Sequence, residues 1–114
     1  GIRGVEELFA KRRRFTAVFC SNDEMAIGAI RAIKSRGRSV PGDVSVVGFD
    51  DIHFARYSDP PLTTIAQPMG DLGREAMSLL LEILNGSDAP ARKHILPTKL
   101  VVRGSTARAP GSKR

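Results

Sequence analysis

The apolar positions of this chain alternate between short continuous runs and runs with an apolar residue at every third or fourth position. Continuous runs are typical of strands buried on both faces, and the spaced pattern is typical of helices that bury one face. The predicted strands are 16–20, 44–49, 62–66 and 95–102. The predicted helices are 3–13, 21–36, 69–85 and a short turn at 52–57. This order predicts an α/β fold.

The second predicted helix carries its own start and stop signals. Ser21 and Glu24 have the Ser-x-x-Glu spacing of a capping box, in which the first residue caps the helix. Asn22 is an alternative cap, because its side-chain oxygen can accept a hydrogen bond from the first turn. Gly37 predicts the end of the helix. The connection between the first two strands is long enough for a parallel crossover, so we expect a mainly parallel sheet.

A length of 114 residues is enough for one modest domain. The chain begins at Gly1 and enters a helical pattern at once, so we expect a piece of a longer protein. No apolar run approaches the roughly 20 residues of a membrane span, and no membrane partner is predicted. Cys20 is the only cysteine, which excludes a disulfide within the chain and favours a reduced, cytoplasmic setting. The sequence around His53 and His94 lacks metal-ligand spacing, and we predict no cofactor.

The formal net charge of +6 raises nucleic acid as a partner. The distribution of the charge argues against it, because the run 11–14 closes a helix and further cations, Arg103 among them, fall in a segment with tail composition. No paired-helix recognition motif is visible. We therefore expect no direct, specific DNA binding by these residues.

A polar side chain follows each of three consecutive predicted strands: Asn22, Asp50 and Gln67. The carboxyl ends of parallel strands lie at the same edge of a sheet, where α/β proteins bind their ligands. Two amides and a carboxylate provide the donors and acceptors that a neutral hydroxylated or nitrogenous small molecule needs. No base is paired with a nucleophile by local spacing, so the pattern predicts a binding edge and no enzyme.

Each of these residues also has a purely structural explanation. Asn22 can serve only as a helix cap. Asp50 or Asp51 can cap the short turn at 52–57, and for Asp51 that explanation is the favoured one. Gln67 can satisfy the backbone of its connection. The aromatic residues of the same turn can pack on a partner or under the loop.

Five stretches of the chain carry a family resemblance: 20–29, 40–51, 60–68, 72–76 and 103–106. They resemble the lactose/galactose-repressor family of bacterial transcription regulators, and in particular its cytidine-, purine- and ribose-repressor-like members. The resemblance covers almost the whole chain, with its motifs in the right order.

The resemblance implies part of the fold of type I periplasmic sugar-binding proteins, a three-layer αβα arrangement with a mainly parallel sheet. It implies that Asn22, Asp50 and Gln67 face a cleft that holds a sugar or nucleoside effector. It also implies a homodimer interface; its predicted residues here are Ile27, Ile30, Phe54 and Tyr57.

The resemblance divides the chain into 1–103, the C-terminal part of an effector-binding domain, and a flexible tail at 104–114. Operator DNA would be bound only through an N-terminal domain that these residues do not include. The alternative from another class is the periplasmic sugar-binding component of a transport system, which shares the fold and the polar strand ends.

Overall fold

The computed structural model describes residues 1–86 and 93–111. Within this part of the chain, three α-helices, one 3-10 helix and four strands follow one another in the predicted order. They are α1 Ile2–Ala10, β1 Ala17–Phe19, α2 Asp23–Ser35, β2 Ser45–Asp50, the 3-10 helix His53–Arg56, β3 Thr63–Ala66, α3 Met69–Leu84 and β4 Lys99–Val101. The observed β4 is shorter than predicted.

The four strands form one sheet in the order β1-β2-β3-β4. The first three strands are parallel, and β4 is antiparallel to β3. The prediction of a mainly parallel α/β sheet is confirmed. Val47 is the Cα partner of both Phe19 and Thr63, so it fixes the register of the three parallel strands.

The chain divides into two compact units. The first contains residues 1–66 and the described residues from 99 onward, and the second contains residues 67–98. In the first unit, α2 packs against β2 and α1 packs against α2. Its core includes Val5, Ala26, Ile30, Ile33, Val44, Val46 and Leu62. In the second unit no residue of α3 is buried, and His94 Nδ1 lies 2.9 Å from Glu75 Oε2.

Helix α2 begins one residue later than the capping box predicts. Asn22 is the N-cap, and its Oδ1 accepts a hydrogen bond from Met25 N–H at 2.8 Å. The prediction of Ser21 as the cap is wrong, because the neighbouring amide takes that position. The end agrees with the prediction. Gly37 adopts φ +72°. Its amide donates to the Lys34 carbonyl, and the Arg38 amide donates to the Ile33 carbonyl.

The segment after β4 packs against β2 and β3, although its composition predicts a tail. Ser105 is fully buried; its Oγ accepts from Thr63 N–H at 2.8 Å and donates to the Val46 carbonyl at 2.6 Å. Ala107 N–H donates to Ser45 Oγ at 3.0 Å. Residues 105–107, which the predicted boundary assigns to the tail, are therefore packed against the sheet, because residues far away in sequence supply their hydrogen-bond partners.

Candidate functional site

Two of the three predicted ligand residues lie at the same edge of the sheet, in the first unit. Phe19 and Val47 are Cα partners in parallel strands, and Asn22 and Asp50 each follow three residues later. Since parallel strands advance together, the two polar residues emerge at a similar level. Asp50 is the last residue of β2 and is half-buried.

Asn22 performs the structural role that the sequence left open. Its Oδ1 caps α2, and the side chain makes no other hydrogen bond among the described residues. The cap uses only the oxygen, so the two amide hydrogens remain available as donors. Capping and ligand binding are therefore compatible at this residue.

Asp50 and Asp51 form a strained turn at the end of β2. Their φ angles are +112° and +56°, in the region that L-residues rarely adopt. The prediction that Asp51 caps the following helix is wrong: Ile52 is the N-cap, and no side chain caps the helix. Asp51 Oδ1 instead accepts from Arg103 Nη2 at 2.6 Å, in a pair whose side chains are only 19% and 16% exposed. Arg103 is thus part of the packed domain and not of a tail.

Asp23 is the site residue that the sequence reasoning missed. It is fully buried at the first position of α2, directly after the capping residue Asn22. Its Oδ1 accepts from the Thr64 hydroxyl, and its Oδ2 accepts from Ile52 N–H at 2.8 Å. The charge is offset by these two bonds and by the positive end of the helix dipole. An acidic residue in the first turn of a helix that directly follows a strand was the available signal.

Gly48 makes room for the buried carboxylate. A Cβ built on Gly48 would lie 2.2 Å from Asp23 Oδ1 and 2.9 Å from Leu62 Cδ2. Any side chain at this position would displace the carboxylate or the strand. The glycine inside β2 is therefore explained by the close approach of Asp23.

Gln67 directly follows β3 and is the first residue of the second unit. It is half-buried. Its role as a ligand residue stays a prediction, as do the ligand roles of the two residues in the first unit.

A groove in the first unit contains three of the four residues predicted for a dimer interface. It has a volume of about 380 Å³ and is lined by Ile27, Ile52, Phe54 and Tyr57 among others. Phe54 and Tyr57 are 70% and 68% exposed. Ile30 lines an adjoining depression of about 250 Å³ together with Ile27, but it is itself buried in the core. The surface therefore depends more on the aromatic pair than on Ile30.

Cys20 is the one cysteine of the chain, and it is buried. Burial raises the pKa of the Cys20 thiol, which keeps the sulfur protonated and weakly nucleophilic. Among residues 1–86 and 93–111, no group of three or more His, Cys, Asp and Glu side chains could hold a metal ion. No helix in the described ranges combines the length and apolarity required to cross a membrane.

The sequence pattern of the periplasmic binding protein-like domain matches residues 3–106. The HTH-type transcriptional regulator MalR of Streptomyces coelicolor is 50% identical over 101 residues, which are 89% of this chain and 29% of that protein. The HTH-type transcriptional repressor CytR of Escherichia coli is 43% identical over 110 residues, which are 96% of this chain and 32% of the repressor. The chain therefore spans about a third of the length of these relatives.

Solved structures give the same picture. A LacI-type transcription regulator from Bifidobacterium animalis superimposes with a TM-score of 0.87 at 37% identity, covering 94% of this chain and 38% of the regulator. The Lac repressor dimer bound to operator and an anti-inducer superimposes with a TM-score of 0.85 at 36% identity, covering 94% and 37%. The chain belongs to the periplasmic binding protein-like domain family, and the relatives named here are transcription regulators of the LacI type.

Proposed function

We propose that this chain is the effector-sensing and dimerisation part of a bacterial DNA-binding transcription regulator. The observation that carries the proposal is the polar edge of the sheet. There the helix-capping Asn22 follows β1, and Asp50, whose backbone φ is positive, ends the neighbouring parallel strand β2. The similarity to regulators over nearly the whole chain favours this function over a transport component. The chain would act in the cytoplasm, as part of a longer protein.

The chemistry of the edge favours a neutral, hydroxylated effector such as a sugar or a nucleoside. Asp50 supplies a carboxylate acceptor, and Asn22 supplies amide donors. The carboxylate would accept hydrogen bonds from the hydroxyl or ring N–H groups of the ligand. One solved structure is that of the transcriptional regulator CelR in complex with cellobiose, a ligand of this class.

Calorimetry on the full-length protein with ribose, cellobiose and cytidine tests the ligand class. A hydrogen bond to a charged group contributes about 1.5–3 kcal/mol. Asp50→Ala is therefore expected to lower the affinity for the probe that binds by roughly 10- to 150-fold. Glu6→Ala removes a carboxylate from an exposed position of α1 and serves as the matched control. Equal affinities for the two variants, or no binding of any probe, would overturn the proposal.

The groove beside the 3-10 helix is the proposed homodimer surface. Phe54 and Tyr57 expose most of their aromatic area there, next to Ile27. Sedimentation of Phe54→Ser is expected to show a larger monomer fraction than the unchanged protein. Phe19→Ser is the matched control, because Phe19 is 66% exposed on β1 and does not line the groove. Dissociation by Phe19→Ser alone would place the interface elsewhere.

DNA binding would belong to a separate segment. The α-helices of residues 1–86 and 93–111 include no helix-turn-helix pair that could enter the major groove of DNA. These 114 residues are therefore expected to show no operator preference in a gel shift at physiological salt. In the longer protein, effector binding would change operator affinity by a coupling of about 1–3 kcal/mol. Preferential binding of one duplex over a scrambled one by this chain would contradict this division of labour.

A further inference from the structure

Asp23 brings together the three segments that surround the proposed effector edge. It belongs to the first turn of α2, next to the capping residue Asn22. Its carboxylate holds the Thr64 hydroxyl of β3 and the Ile52 amide of the loop that follows β2. Since Asp23 is fully buried, it cannot itself contact a ligand. Its influence on the site must pass through the groups it holds.

The Ile52 amide directly follows the strained turn that carries Asp50. Two consecutive residues with positive φ are unfavourable outside glycine and persist only when surrounding contacts enforce them. The hydrogen bond from Ile52 N–H to Asp23 Oδ2 fixes the residue after the turn, and the Arg103 side chain holds Asp51 within it. The turn is therefore held from two sides.

We propose that Asp23 is the positioning residue of the effector site. Its carboxylate clamps the loop after β2, and so holds the strained backbone that presents Asp50 beside Asn22. Thr64 orients the carboxylate, and Gly48 leaves the space it occupies. The inference rests on the proposed function for its biological meaning, but the clamp itself can be measured without a ligand.

Amide hydrogen exchange on the 114-residue chain tests the clamp. The exchange rate of Ile52 is divided by that of Val46, whose amide donates to the Ser105 carbonyl in the core. General destabilisation would accelerate both amides, whereas loss of the clamp accelerates Ile52 selectively. Asp23→Ala is expected to raise the ratio by about tenfold or more, the scale of one hydrogen bond to a charged group.

Thr64→Val keeps the test valid if Asp23→Ala does not fold. It removes the hydroxyl that orients the carboxylate and leaves the side-chain volume nearly unchanged, so the ratio is expected to rise. Thr64→Ser retains the hydroxyl and is the matched control, with a ratio near that of the unchanged chain. Equal ratios of the Ile52 to the Val46 exchange rate in Thr64→Val and Thr64→Ser would overturn the inference.

A binding experiment separates this inference from the proposed function. In the full-length protein, Thr64→Val is expected to weaken the bound sugar or nucleoside probe at least several-fold relative to Thr64→Ser. Failure of Asp50→Ala to change affinity would refute the proposed function and leave the exchange result intact. An unchanged exchange ratio would refute the clamp even if Asp50 proved to bind the probe.

Discussion

Ser105→Ala is expected to destabilise the domain far more than a substitution in an exposed tail would, because Ser105 is fully buried. The substitution removes the acceptor of the Thr63 amide and the donor to the Val46 carbonyl, and all three residues are buried. The orphaned amide costs about 1–3 kcal/mol, and the second lost bond adds about 1 kcal/mol. The expected loss of about 2–4 kcal/mol is a large share of the roughly 5–15 kcal/mol that stabilises a typical domain.

Urea denaturation of the 114-residue chain, followed by circular dichroism, measures this loss. With a slope of about 1–3 kcal/mol per molar urea, the midpoint should fall by about 1 M or more without a change in slope. Ser21→Ala is the matched control, because Ser21 is exposed and its hydroxyl does not cap α2. Its effect should stay within about 0.5 kcal/mol. Equal midpoints for the two variants would refute the assignment of Ser105 as a buried link between β2 and β3.

Three further predictions follow from other contacts. Asn22→Ala should lower the free energy of unfolding by about 1 kcal/mol, whereas Asn22→Ser can still cap α2. Equal melting temperatures for these two variants would contradict the capping role of Asn22. Gly48→Ala should destabilise the fold, because its Cβ would lie 2.2 Å from Asp23 Oδ1, and an unchanged melting temperature would contradict the close packing. Hydrogen bonds from Ser39 lower the pKa of Asp43 from 3.8, so their stabilisation is present at neutral pH and is lost as the pH falls below 3.8 through the lowered pKa. In Ser39→Ala the pKa of Asp43, measured by NMR titration, should return toward 3.8. An unchanged Asp43 pKa in this variant would contradict the assigned cause.

The sequence by itself determined the order and type of the elements. Helix α2 ends at Ser35, and Gly37 just beyond it adopts the left-handed conformation that glycine accepts without steric cost, as the sequence predicts. The continuous apolar run of β2 indicates a strand buried on both faces. The spaced apolar residues of α1 and α2 indicate helices buried on one face. Such signals are local, because backbone conformation and side-chain period are properties of adjacent residues. The edge that carries Asn22 and Asp50 followed from them.

Only the tertiary structure decided which polar groups hold the edge together. Asp23 reaches Thr64 across 41 residues and Arg103 reaches Asp51 across 52, and no periodicity encodes such pairs. Asp51 was expected to cap a neighbouring turn, but a partly buried carboxylate gains more from a guanidinium supplied by the distant segment. Ser105 was assigned to a tail on its composition, although its partners lie 42 and 59 residues away. A buried polar group must find a partner wherever the fold brings one, and that requirement is met in space and not along the chain.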